Sequence, residues 1–169
     1  HILVKDEPNP FISKIDWDQL LYMVYPKLLK GKTFILQGAG NVGMSVLFDI
    51  EKFGVNIIGV ADAGGAIFGS NFKAADLEET IKASRSVVHM KKGVKEVIAG
   101  AKEGAKILTY ECDILMPCAL ENAITFENVN DIKTKMLLCG ANGPTSPKAA
   151  EILQSKGMLV VYDVLADSG

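Results

Sequence analysis

The chain has 169 residues, 49% apolar and 22% charged, with a formal net charge of −2. That is the make-up of one ordinary globular domain. It excludes bulk electrostatic attraction to nucleic acid or an anionic membrane, because the lysines are scattered and outnumbered by acids. No apolar run reaches the roughly 18 residues of a membrane helix. The opening HILVKDEPNP lacks the basic start and apolar stretch of a secretion signal. Three cysteines, Cys112, Cys118 and Cys139, form an odd and sparse set without a CxxC pair. They favour reduced thiols and a cytoplasmic location, with the mitochondrion as the other compatible compartment, and offer no metal site.

Residues 1–30 differ from the rest and read as an N-terminal segment or linker. Pro8 and Pro10 oppose helix, whereas Ile15, Gln19, Leu20, Met23 and Val24 recur at a helical period over about 14–29. Asp16 is the candidate cap there. From Lys32 onward the pattern is regular. Thr33 to Gln37 suits a buried strand, Gly38 to Gly43 a glycine turn, and Met44 to Phe53 a helix ended by Gly54. Val55 to Val60 is a second strand, closed by Ala61–Gly65, and Ala75 to Val88 reads as a helix. Lys91 to Lys106 gives no clear period and is expected to hold a short helix or loops. Asp113 to Ala119 is a strand, Glu127 to Ile132 a short helix, and Met136 to Cys139 a strand. Pro147 to Lys156 is a helix capped by Ser146, and Met158 to Tyr162 the last strand. Alternating strands and helices predict an α/β fold, Rossmann-like and doubly wound, with a mostly parallel sheet over residues 31–169.

The motif with most chemical content is Gly38-Ala39-Gly40-Asn41-Val42-Gly43. It has GxGxxG spacing, follows a strand and opens a helix. Gly38 permits the turn, Gly40 lets a pyrophosphate approach the backbone, and Gly43 lets the helix pack on the strand. The first N–H groups of the helix then face the phosphates. Asp62 lies about twenty residues on, where a carboxylate accepts from adenosine ribose hydroxyls and repels a 2′-phosphate. NAD is therefore expected over NADP, with NADP still possible; Lys73 is the nearby cation that would temper the preference. A glycine turn that binds nothing, or binds S-adenosylmethionine, is the competing reading of the loop alone.

Four ordered segments carry a more specific signal: TFILQGAGNVG (33–43), ECDILMPCALENAIT (111–125), LLCGANGPTSPKAAEIL (137–153) and GMLVVYDVLADSG (157–169). Together they resemble the glutamate, leucine, phenylalanine and valine dehydrogenase superfamily, and its glutamate branch in particular. The resemblance implies NAD(P)-dependent oxidative deamination of L-glutamate to 2-oxoglutarate and ammonia, in a hexameric homo-oligomer. It matches Gly38, Gly40, Asn41, Val42 and Gly43 to the pyrophosphate loop and Asp62 to the ribose acid. It matches Pro117, Cys118 and Ala119 to the strand end beside the nicotinamide, and Asn142 to a nicotinamide-ribose contact. Cys118, with no basic partner in view, reads as a packing residue and not a nucleophile.

No catalytic residue is assigned, because the family's catalytic lysines and proton-transfer acid belong to a substrate domain with no counterpart in residues 1–32. The family's continuation past residue 169 is likewise missing, so the domain reads as truncated at that end, and the chain alone is expected to be inactive. Asp167 stands where most relatives carry Asn, placing extra negative charge near a dicarboxylate site. The competing functions are another amino-acid dehydrogenase of the superfamily and a non-catalytic nucleotide-binding regulatory module.

Overall fold

The computed structural model describes residues 27–119, 123–139 and 145–161. The helix expected over 14–29 therefore lies mostly outside the described residues, together with Asn142 and Asp167. A seven-stranded sheet runs in the order β4-β3-β2-β1-β5-β6-β7. Its strands are β1 (Thr33–Gln37), β2 (Asn56–Asp62), β3 (Gly65–Phe72), β4 (Val94–Ala99), β5 (Cys112–Pro117), β6 (Thr134–Leu138) and β7 (Leu159–Val161). β1 pairs in parallel with both β2 and β5, and β6 continues the parallel run to β7. The chain thus leaves β1 for one side of the sheet and returns on the other. That reversal opens a crevice at the carboxyl ends of the strands.

The central strands are covered on both faces. Phe34 and Leu36 of β1 face one apolar cluster with Leu47, Ile50, Ile57 and Leu77. Ile35 faces a second cluster with Ile107, Leu115, Leu137 and Leu153. This is why β1 reads as an unbroken apolar run. Each wholly buried Leu, Ile or Phe here contributes about 1.5–3 kcal/mol.

The helices are α1 (Asn41–Lys52), α2 (Ala74–Ser84), the single turn α3 (Ala101–Gly104) and α4 (Pro147–Ser155). Gly54 ends α1 at φ +75°, a left-handed conformation that glycine adopts without strain. Ser146 caps α4 by accepting from the Ala149 N–H at 3.3 Å, ahead of Pro147 in the first turn.

Two expectations need correction. The alternation of strand and helix breaks after β2, where Asp62–Gly65 forms a tight hairpin into β3, antiparallel to β2. β4 then adds antiparallel to β3 and takes Val94–Ala99 of the stretch read as short helix or loops, while the short helix expected there is found at Ala101–Gly104. The residues AIFGSNF of β3 carry Gly, Ser and Asn, which are depleted in strands, and this masked the element. Gly69 is required there because a Cβ would meet the Gly93 carbonyl oxygen at 2.0 Å. The helix expected to reach Val88 ends at Ser84, where Arg85 turns left-handed at φ +67° and a short 3-10 turn, Val87–His89, follows. Likewise only Val129–Asp131 is helical within 127–132, as a 3-10 turn.

Candidate functional site

The glycine loop joins β1 to α1 and forms one wall of a crevice of about 730 Å³. Each glycine meets a different demand. Gly38 sits at φ +108°, and a Cβ on it would meet the Ala119 nitrogen at 2.8 Å. A Cβ on Gly43 would meet the Gly38 carbonyl oxygen at 1.9 Å, so α1 starts as close to the turn as backbone allows. At Gly40 a Cβ would meet nothing within 4 Å. Its backbone is ordinary, with φ −81°, so neither strain nor packing demands glycine there. What a side chain at Gly40 would fill is the open space of the crevice.

The start of α1 supplies donors to that space. Gly40 offers no side-chain cap, and no acidic residue stands in the first turn. The N–H groups at the head of a helix have no intrahelical acceptor and carry the positive end of the helix dipole. The two other long helices are treated differently: Ser146 caps α4, and Glu51 accepts from the Ala74 N–H at 3.0 Å at the start of α2. An anion is therefore the fitting occupant of the α1 end. Asn41 and the exposed Val42 also line the crevice.

Asp62 lies at the end of β2, on the crevice wall. Its Oδ1 accepts from the Gly64 N–H and from the Ser86 hydroxyl, both at 2.8 Å. Its Oδ2 accepts from the Val87 N–H at 2.7 Å. The carboxylate thus anchors the β2–β3 hairpin to the segment after α2, and Oδ2 keeps one acceptor site open. That segment brings Arg85, the chain's one arginine, to the crevice wall. Arg85 is exposed and forms no ion pair among the described residues. Lys73, the cation singled out from the sequence, instead pairs with Glu51 at 2.9 Å and does not line the crevice.

Cys118 and Ala119 line the opposite wall, just beyond β5. Pro117 is buried one residue back, in register with Gln37 of β1, and does not itself line the space. Burial, and after it the neighbouring Cys139, pushes the Cys118 thiol up to about 11, so it stays protonated at neutral pH and is a poor nucleophile. Nine of the ten positions singled out from the sequence fall within the described residues, and eight of them line this crevice. Asn142 lies outside them. The sequence reading missed Gln37 and Arg85. Arg85 had one usable signal, its being the lone arginine.

A bound dinucleotide fits these residues by three observations: an uncapped helix start, an open cradle at Gly40, and an acid with a cation at the end of β2. A family model described as Glutamate/Leucine/Phenylalanine/Valine dehydrogenase matches residues 19–169. An NADP-specific glutamate dehydrogenase of Saccharolobus shibatae is 35% identical over 142 residues, covering 83% of this chain and 32% of that protein. An NAD-specific glutamate dehydrogenase of Staphylococcus aureus is 34% identical over 141 residues, covering 83% and 33%. The crystal structure of the hetero-hexameric glutamate dehydrogenase of Thermus thermophilus superposes with a TM-score of 0.72 at 23% identity, over 89% of this chain and 35% of that one. The chain thus spans about a third of the length of the relatives it matches.

Proposed function

Since the chain belongs to the Glutamate/Leucine/Phenylalanine/Valine dehydrogenase family, we propose that its crevice is the nicotinamide-dinucleotide site of a glutamate dehydrogenase. The diphosphate lies against the free N–H groups of Gly40 to Gly43, and the helix dipole offsets part of its charge. Gly38 and Gly43 keep the turn tight, and Gly40 leaves the approach clear. Asp62 holds the adenosine end of the site in shape and offers one remaining acceptor on Oδ2. Cys118 and Ala119 form the wall for the other end. The bound dinucleotide would supply a hydride acceptor for the oxidation of L-glutamate to 2-oxoglutarate and ammonia. The chain's own residues bind and orient it.

The chain spans about a third of the length of its relatives. In this reading the groups that hold the amino acid and move its protons belong to a further domain, and the whole enzyme is a homo-oligomer. Positioning of two reactants supplies much of the rate of such a step. The 169-residue chain alone is accordingly expected to turn over glutamate negligibly.

Relatives with either cofactor specificity resemble this chain, and the geometry here favours a site that accepts both. Asp62 is largely occupied with protein donors, which weakens the exclusion of a 2′-phosphate. Arg85 beside it provides a planar set of donors suited to that phosphate. NAD is retained through the same loop.

The observation that carries this reading is the unfilled space at Gly40 above an uncapped helix start. Gly40→Val tests it, because that backbone accepts valine without strain. Calorimetric titration of the wild-type chain with NADH should show binding, and the variant should stay folded, with a small fall in melting temperature from the poorer N-cap, and lose that binding. A G40V variant that binds NADH as tightly as wild type would refute the proposal.

A further inference from the structure

Gln37 ends β1, the central strand, and is only 7% exposed. Its Oε1 is fully enclosed and has no hydrogen-bond partner. It is the only such buried side-chain oxygen or nitrogen among the described residues. Leaving a buried acceptor unpaired is unfavourable, and a Leu or Met of similar size would carry no such cost. Packing therefore does not explain glutamine at this position. Gln37 is also among the residues that line the crevice.

Its placement indicates which part of a ligand it would meet. By the alternation of a strand, Gln37 projects to the same face as Ile35, away from α1. Its backbone is paired with Pro117, and its carbonyl oxygen accepts from the Cys118 N–H at 2.7 Å. Asp62 and Arg85 mark the other end of the crevice, at β2. The diphosphate cradle at residues 40–43 lies on the α1 side. The Gln37 main chain thus runs beside that of Cys118, while its side chain leaves on the sheet face opposite the cradle and the Cys118 side chain.

We propose that the Gln37 carboxamide is a binding residue for the nicotinamide half of the dinucleotide, accepting a hydrogen bond from a ribose hydroxyl or from the nicotinamide amide. This rests on the dinucleotide reading of the crevice. It adds a polar contact where β1 and β5 meet the crevice, beside the main chain of Cys118. A bound nicotinamide half would give this acceptor its partner.

Gln37→Met tests this, since it keeps length and shape and removes the polar atoms. NADH and ADP are titrated into the wild-type chain and the variant, and both melting temperatures are recorded. ADP carries the adenosine and diphosphate but no nicotinamide half. The expected result is a melting temperature at or above wild type, NADH affinity about tenfold weaker, and ADP affinity unchanged. An unchanged NADH affinity, or an equal loss for ADP, overturns the assignment of Gln37 while leaving the site intact. A wild-type chain that binds neither ligand overturns the dinucleotide reading and this inference with it.

Discussion

The two ends of β1 treat their polar groups in opposite ways. At the amino end, Asp113 Oδ2 accepts from the Thr33 N–H at 2.9 Å and its hydroxyl at 3.1 Å, and Oδ1 pairs with Lys135 at 2.9 Å. Thr134 closes the same corner by donating to the Asp113 carbonyl at 3.0 Å. At the carboxyl end, the α1 N–H groups lack a side-chain cap, and the Gln37 Oε1 has no partner. One end is a finished polar network that ties β1, β5 and β6 together. The other leaves the α1 donors facing a crevice and a glutamine acceptor buried without a partner. Both are polar clusters in one sheet, and only satisfaction of hydrogen bonds separates them. A polar network that closes on itself stabilises the fold, whereas open donors at a crevice fit the binding site proposed above.

Substitutions should divide along that line. The largest effect is expected from Gly43→Ala, because the new Cβ would press on the Gly38 carbonyl oxygen. Chemical denaturation should show a loss of about 3 kcal/mol, with dinucleotide binding lost as well, since the turn itself must shift. At the closed end, Asp113→Asn should cost roughly 2 kcal/mol at neutral pH and leave NADH affinity unchanged. There the Thr33 N–H, followed by Lys135 and the Thr33 hydroxyl, lowers the Asp113 pKa to about 2. A lowered carboxyl pKa stabilises the fold above the ordinary value of 3.8, and that contribution is lost as pH falls toward about 2. Melting curves should therefore fall more steeply between about pH 4 and pH 2 in wild type than in D113N. The smallest effect is expected from Arg85→Ala, an exposed cation. Calorimetry should show about fivefold weaker NADPH binding with NADH little changed and no loss of stability.

Much of this arrangement was legible in the sequence. The strand Thr33–Gln37, the glycine loop and the helix behind it follow from an apolar run, fixed glycine spacing and a helical period, all of which are local signals. Asp62 was placed correctly at the end of β2, yet its bonds to Gly64, Ser86 and Val87 were not foreseen. Those partners depend on where the segment after α2 returns, which is a tertiary fact. β3 and β4 were missed for a related reason: Gly69 and the exposed, charged pattern VKEVIA make sense only once the strands lie side by side. Gln37 was invisible because a glutamine next to Gly38 is unremarkable until its burial and its unpaired oxygen are known.

The central claim is that the head of α1 is a diphosphate cradle. It is tested most directly by following the backbone amide resonances of the chain by NMR as NADH is added. The account predicts that the amides of Gly40, Asn41, Val42 and Gly43 move first and furthest, while those of Thr33 and Asp113 at the closed end stay in place. Saturating NADH that leaves the four loop amides unmoved in a folded chain would contradict it.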